Sequence, residues 1–114
     1  MGVQREIDII DLQPRHWEFR PHVISGLGTL GDEELLALVR SAEVWEIDGG
    51  KLISDGNHRL SECLRRGFTR VVVDYNELDD SAIVCFLDGV EDLIYDVQEA
   101  RNRGVYSLAD LWAV

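Results

Sequence analysis

Residues 52–60 read LISDGNHRL, and this stretch decides how the chain folds. Its apolar start predicts the end of a strand, and Gly56 lets the backbone turn sharply because glycine has no Cβ to clash. A helix is expected just beyond the turn. Its first N–H groups lack partners within the helix and lie at the positive end of the helix dipole, which suits a phosphate. Since His58 and Arg59 add positive side chains there, the stretch predicts a small phosphate-binding loop.

The segment after this turn predicts an amphipathic helix followed by a strand. The helix runs from about Asn57 to Arg66, and Gly67 is placed to end it. Val71-Val72-Val73 is β-branched and predicts a strand that is buried on both faces. A strand, a glycine turn, a helix and a second strand make a compact α/β unit with the turn at one end of the sheet. The buried stripe of the helix consists of Leu60, Cys63, Leu64 and Gly67.

Upstream of the loop, the sequence predicts a helix and then a β-hairpin. The hairpin spans Val44 to Ser54, with Gly49-Gly50 as its two-residue turn and with Asp48 and Lys51 paired across it. Asp32 is the expected N-cap of the helix. The apolar positions of this helix, which follow with helical spacing, are Leu35, Leu36, Leu38 and Val39.

The N-terminal part predicts a strand and a long connection. Ile7-Asp8-Ile9-Ile10 suits a short strand, and residues 13–31, which contain both prolines and three glycines, suit an irregular connection. Such a long loop is often functional and could close over a nucleotide. Its aromatic residues Trp17 and Phe19 are nevertheless expected to anchor it to the core. The basic residues of this loop are Arg15, His16, Arg20 and His22.

The C-terminal part is expected to be helical from Asp79 onward. Gly89 could divide this region into two helices, and Ser107 with Asp110 predicts a capping box for a last helical turn. Residues 1–114 are long enough to bury a core and are expected to form one α/β domain with a helical C-terminal part over residues 79–114.

The charge balance excludes some classes of partner. The net charge is −11, with 22 acidic residues against 11 basic residues. Because DNA affinity comes mainly from neutralising phosphates, no duplex DNA binding by this domain alone is expected. No apolar run approaches the ~20 residues of a membrane span, and residues 1–6 lack a signal-peptide core. No membrane contact and a cytoplasmic location are therefore expected. Cys63 and Cys85 lack paired spacing and are expected in the core, and no metal ligand is predicted.

Residues 53–75, ISDGNHRLSECLRRGFTRVVVDY, resemble the ParB/sulfiredoxin superfamily, also called the ParB-like nuclease domain. The family pattern is an apolar strand, Asp-Gly-x-His-Arg, an amphipathic helix, a glycine and a β-branched strand. Residues 7–14 are similar to the family's opening strand and the proline that follows it. Residues 34–41 are similar to its first helix, which commonly ends in Leu-x-x-Ser. The resemblance covers about residues 7–75 and implies a small single-domain ParB/sulfiredoxin-like fold with a short mixed sheet and helices.

The resemblance also implies a function for the loop. ParB proteins bind and hydrolyse CTP, sulfiredoxins use ATP to repair an over-oxidised cysteine, and some relatives phosphorylate free serine. A nucleotide ligand (ATP, ADP or CTP) is therefore expected, with Mg²⁺ as an accompanying ion and with phosphoryl transfer or nucleotide hydrolysis as a further step. Asn57 replaces the sulfiredoxin cysteine, which argues against that chemistry. The Pro-Ile step of ParB is missing before Val44, and the ParB helix-turn-helix domain is not expected in the 39 residues given after Tyr75.

The predicted phosphate-binding residues are Asp55, Gly56, Asn57, His58 and Arg59. Gly56, Asn57 and His58 would supply donors and Arg59 would neutralise charge. The alternative is a tight turn in which Arg59 bridges to a nearby carboxylate. His58 could contact a γ-phosphate, act as general acid or base, or be a structural histidine. Asp55 could place Mg²⁺ through water, although a turn-forming role is favoured. No catalytic residue stands out.

Glu62 departs from the family, which usually has a small residue there. It follows Arg59 by three residues, so the two side chains can meet on a helix. Either Glu62 occupies the phosphate site from within, or it points at solvent or substrate and leaves the site free. The free site is favoured because the Asp-Gly-Asn-His-Arg run is intact. The alternative function is a non-catalytic interaction module, a subunit or inhibitor with a protein partner, that keeps the scaffold without nucleotide chemistry.

The remaining charged and aromatic residues are expected to have structural roles. Arg65, Arg66 and Arg70 cluster after the loop motif and are expected on a solvated face. Trp45 and Trp112 could form a partner surface, but core packing is favoured.

Overall fold

The computed structural model describes residues 2–17, 26–47, 50–77 and 80–113, and of residues 80–90 and 111–113 it describes only the backbone. Eight helices and strands are defined in these ranges. In chain order they are β1 (Val3–Asp8), α1 (Asp32–Val39), β2 (Glu43–Ile47), β3 (Gly50–Asp55), α2 (Asn57–Arg65), β4 (Arg70–Glu77), α3 (Asp80–Asn102) and α4 (Leu108–Ala113).

The four strands form one mixed sheet in the order β1-β4-β2-β3. β4 pairs antiparallel with β1 and parallel with β2, and β2 pairs antiparallel with β3. The outer edge of β3 also receives Gln13, whose N–H donates to the Lys51 carbonyl at 3.0 Å and whose carbonyl accepts from the Ile53 N–H at 2.9 Å. The mixed α/β fold class predicted from the sequence is confirmed.

Helices cover both faces of the hairpin formed by β2 and β3. Val44 and Ile53 belong to the larger apolar cluster, which packs α1 and α2 against the sheet. Trp45, the next residue along β2, points to the opposite face and packs with Leu52, Leu93 and Val97 in the smaller cluster. That cluster joins the hairpin to α3, so core packing of Trp45 is confirmed; the Trp112 side chain lies outside the described residues. The buried residues that α1, α2 and β4 add to the larger cluster are Leu35, Val39, Leu60, Cys63, Val71, Val73 and Tyr75.

Glycine residues end helices α2 and α3. Gly67 has φ +92°, its N–H donates to the Leu64 carbonyl at 3.0 Å, and the Phe68 N–H donates to the Cys63 carbonyl at 2.9 Å. This pair of bonds is a Schellman motif, so the predicted helix end is confirmed. Gly104, with φ +87°, ends α3 in the same way.

Ser107 caps α4 as predicted. The Asp110 N–H donates to Ser107 Oγ at 3.4 Å, and the Asp110 carboxylate accepts from the Tyr106 N–H at 2.9 Å. Cys63 is a free, buried thiol, as expected, and desolvation by burial raises its pKa to about 11. The Cys85 side chain lies outside the described residues.

The bounds of several elements differ from the predictions. β1 begins at Val3 and ends at Asp8, because its pairing with β4 extends it toward the N-terminus. Gly31, not Asp32, is the N-cap of α1. Gly50 is a strand residue that pairs with Ile47, whereas the other proposed turn residues, 48 and 49, lie outside the described residues.

Three further predictions need correction. α3 runs through Gly89 without a break, since one glycine is tolerated within a long helix. Residues 26–28 form a helical turn within the predicted irregular connection. Val72 is only half-buried, so burial alternates along β4, whereas burial of both faces of this strand was expected. None of the helices in the described part of the chain is both long enough and apolar enough to cross a membrane.

Candidate functional site

The predicted loop is a tight turn between β3 and α2. Gly56 has φ +101° and ψ 21°, in the left-handed region, and a Cβ built on it would lie 2.6 Å from the Cβ of Ala42. Both the conformation and the space therefore require glycine. The Leu60 N–H donates to the Gly56 carbonyl at 2.9 Å, which is the first bond of the helix. The N-cap residue Gly56 supplies no side-chain cap, and the first turn of the helix carries no acidic residue.

A pocket of about 370 Å³ opens beside this turn. All five predicted site residues line it, together with residues from the preceding connection. In the part of the chain that the structure describes, the lining residues are His16, Leu27, Asp55, Gly56, Asn57, His58 and Arg59. The structure therefore brings the predicted set together at one surface of the molecule.

Arg59 lines the pocket and also holds the end of α1. Its Nη1 donates to the Leu38 carbonyl at 3.0 Å and to Ser41 Oγ at 2.6 Å. Its Nη2 lies 3.4 Å from a carboxylate oxygen of Asp55, which is the carboxylate bridge foreseen as the alternative to phosphate binding. The Arg59 side chain is 21% exposed and the Asp55 side chain is 70% exposed. This ion pair therefore faces solvent and is weak.

Asn57 is buried at the start of α2, with 2% exposure. Its Oδ1 accepts from the backbone N–H of Arg15 at 3.0 Å, and its carbonyl accepts from Ser61 Oγ at 2.7 Å. The Asn57 side chain therefore fixes the segment of residues 13–17 against the turn. That segment brings His16 to the pocket.

Side chains of residues 13–17 hold the segment to the C-terminal helices. Arg15 Nε donates to the Asp96 carboxylate of α3 at 2.6 Å. The Arg103 guanidinium lies 4.8 Å from the centre of the Trp17 ring, and Trp17 packs against the larger core cluster. The interpretation of Trp17 as an anchor is confirmed. The other loop residues named in the prediction, residues 19, 20 and 22, lie outside the described residues.

Glu62 makes its contacts away from Arg59. Its side chain is 1% exposed, and its carboxylate accepts from Arg65 Nε at 2.7 Å and from Arg66 Nε at 2.8 Å. The hydrogen bond from Arg65 lowers the pKa of this carboxyl most, burial opposes the shift, and the bond from Arg66 lowers the pKa further. The expectation that Glu62 meets Arg59, or else points at solvent or substrate, is wrong, because Arg65 and Arg66 pair with its buried carboxylate. The favoured expectation that Glu62 leaves the site free agrees with the described pocket lining, which does not include it.

The expected solvated face of arginines is only partly present. Arg70 is exposed and pairs with Glu6 and Asp8, and the Arg65 side chain is 47% exposed. Arg66, in contrast, is 13% exposed and pairs with Glu62 and Asp32. The i, i+4 spacing of Glu62 and Arg66 was the signal in the sequence that could have revealed this pair.

No protein-family model matches this chain, and no curated protein matches it. Among solved structures, the chain is similar to the C-terminally truncated chromosome-partitioning protein ParB from Caulobacter crescentus complexed with CTP-γ-S. The TM-score is 0.41 and the identity 24%, over 79% of this chain and 54% of that chain. It is also similar to the same protein complexed to the centromeric parS site, with a TM-score of 0.40 and 27% identity, over 69% of this chain and 42% of that chain.

The chain thus spans about half the length of the two ParB chains. The similarity is a partial one, and membership of the ParB/sulfiredoxin superfamily stays a proposal.

Proposed function

We propose that this chain is one ParB/sulfiredoxin-like domain that binds a phosphate-bearing small molecule, a nucleotide such as ATP, ADP or CTP, in the pocket at the start of α2. The observation that carries the proposal is the uncapped start of α2 behind Gly56, which opens into a pocket that Arg59 also lines. Backbone N–H groups at a helix start and a guanidinium are the groups that bind phosphate oxygens in proteins.

The local charge supports an anionic ligand. The chain carries a net charge of −11, yet among the described residues that line the pocket the titratable side chains are His16, His58 and Arg59 on one side and Asp55 on the other. Its volume of about 370 Å³ falls within the range of small-molecule sites, roughly 300–1,000 Å³. A hydrolysis or transfer step would need a group that moves a proton, and His16 and His58 are the candidates for it.

A binding screen tests the proposal directly. The protein is melted with ATP, ADP, CTP, GTP and inorganic phosphate, each with and without Mg²⁺, and ligands that raise the melting temperature are titrated by calorimetry. Since a bound ligand stabilises only the native state, a nucleotide that binds raises the melting temperature with concentration. Phosphate release during incubation with the bound nucleotide then reports on hydrolysis.

Arg59→Ala is the decisive variant. A charge-assisted bond to an anion contributes about 1.5–3 kcal/mol, so nucleotide affinity should fall by roughly 10- to 150-fold. Because Arg59 also binds the Leu38 carbonyl and Ser41 Oγ, the variant is expected to melt earlier. Its affinity is therefore measured at a temperature where it is folded.

Ser41→Ala is the matched control for this variant. It removes the hydroxyl that lies 2.6 Å from Arg59 Nη1 without touching the pocket. Its nucleotide affinity should equal that of the natural protein or exceed it. If Ser41→Ala and Arg59→Ala lose affinity equally, Arg59 acts by holding α1 and the proposed phosphate contact is wrong.

The second candidate function is a non-catalytic interaction module with a protein partner. The observation in its favour is that the Arg59 guanidinium already has three acceptors within the protein, the Leu38 carbonyl, Ser41 Oγ and Asp55. A screen in which neither a nucleotide nor phosphate changes the melting temperature would favour this candidate.

A further inference from the structure

Arg66 lies at the C-terminal end of α2, at the opposite end of that helix from the Gly56 turn, yet it is bonded to one wall of the pocket. Its Nη2 donates to the carbonyl of Leu27 at 3.1 Å and to the carbonyl of Leu30 at 2.8 Å. Its Nη1 donates to the carboxylate of Asp32, the first residue of α1, at 2.9 Å. Leu27 lines the pocket and belongs to residues 26–30, which we call the wall segment.

Glu62 holds Arg66 in place from within the protein. Arg66 Nε donates to Glu62 Oε2 at 2.8 Å, and the two side chains are 13% and 1% exposed. Burial of a carboxylate is costly unless it is paired, and in some proteins such a pair fixes one arrangement of neighbouring elements. Here the arrangement that is fixed is that of residues 27–32 against α2.

The described backbone bonds within the wall segment are local. The Thr29 N–H donates to the Gly26 carbonyl at 3.3 Å, and the Leu30 N–H donates to the Leu27 carbonyl at 3.1 Å. These bonds shape a single turn. In the described part of the chain, the Arg66 bonds to Leu27 and Leu30 connect this turn to the end of α2, in addition to the apolar packing of Leu27.

We infer that Arg66 is a positioning residue for the anion pocket. Held by Glu62, it places the wall segment, and Leu27 within it, against the start of α2. It thereby determines ligand affinity without contacting the ligand. This inference rests on the proposed function. The role requires arginine, because one planar guanidinium reaches Glu62, Asp32 and two carbonyls at once, whereas a lysine ammonium has three donors at a single point.

Arg65 provides a matched control, since it pairs with the same carboxylate but has no described bond to residues 27–32. The natural protein, Arg66→Lys, Arg66→Met and Arg65→Met are titrated with ATP by calorimetry at a temperature where all are folded. Both Arg66 variants should bind about tenfold more weakly, and Arg65→Met should stay within about twofold of the natural protein. Amide hydrogen exchange over residues 26–30 without ligand should be faster in the Arg66 variants than in Arg65→Met.

Each other outcome has a defined meaning. If the Arg66 variants bind ATP as tightly as the natural protein, or if Arg65→Met loses as much affinity, Arg66 has no positioning role and the proposed function still stands. If the natural protein binds ATP and Arg59→Ala binds it equally well, the proposed site is wrong, and this inference falls with it. Should Arg66→Met fail to fold, Arg66→Lys retains the charge beside Glu62 and decides the question.

Discussion

Gly56 and Gly67 both have positive φ, but they should respond differently to substitution. Gly56→Ala adds left-handed strain and a Cβ 2.6 Å from that of Ala42, whereas a Cβ at Gly67 meets nothing within 4 Å. We expect a loss of about 1–2 kcal/mol in the free energy of unfolding for Gly67→Ala and roughly 2–4 kcal/mol for Gly56→Ala. Urea unfolding measures both values. Equal losses would mean that the Ala42 contact relaxes without cost.

The buried carboxylate of Glu62 should make stability depend on pH. Its pKa is lowered in the folded protein, so its contribution is present above the unfolded pKa of about 4.3 and is lost as the pH falls through the lower folded pKa. The difference in the free energy of unfolding between the natural protein and Glu62→Gln should therefore be largest above about pH 5 and shrink toward pH 3. Unfolding in urea across this range tests it, and a constant difference would contradict the assignment.

At the scale of elements, Gln13 joins the edge of the sheet to the C-terminal helices. It is 4% exposed, its Nε2 donates to the Val105 carbonyl at 2.9 Å, and its Oε1 accepts from Arg101 Nε at 3.0 Å. The same segment carries Arg15, which binds Asp96 of α3. Contacts with α3 and the turn after it therefore help Asn57 to hold the segment that carries His16.

Gln13→Leu should weaken the connection between the edge of the sheet and the C-terminal helices and so destabilise the fold. It leaves a buried carbonyl without its donor, so we expect a loss of about 1–3 kcal/mol in the free energy of unfolding. Gln4→Ala is the control, since the Gln4 side chain is exposed and its one described hydrogen bond is to the Arg40 carbonyl. Its loss should stay within about 0.5 kcal/mol. Similar losses for the two variants would mean that residues 13–17 contribute little to the fold.

At the scale of the whole molecule, the net charge of −11 should prevent binding of duplex DNA by this chain. Electrostatic association with DNA is strongest at low salt, and it requires cations that neutralise phosphates. The described arginines outside the pocket are largely engaged by carboxylates, as in the pairs of Arg5, Arg66 and Arg70. A gel shift at low salt should show no complex. A tight complex there would contradict this interpretation of the net charge.

The local features of this chain were determined by the sequence itself. The Gly56 turn, α2, its end at Gly67, the hairpin and the cap at Ser107 follow from backbone sterics and from apolar spacing within a few residues. The five predicted site residues are consecutive, so a single turn was enough to bring them to one surface. Element bounds were less predictable, because pairing with β4 extends β1 and a long helix tolerates Gly89.

Only the tertiary structure decided what these residues contact. Arg59 meets Leu38 across 21 positions of the chain, Arg66 meets Leu27 across 39, and Arg15 meets Asp96 across 81. Local spacing allowed Glu62 to pair with Arg59, Arg65 or Arg66, and burial selected the last two. The order of the strands, the place of Leu27 in the pocket and the bonds of Arg59 to Leu38 and Ser41 depend on how distant segments pack, which periodicity within one segment does not encode.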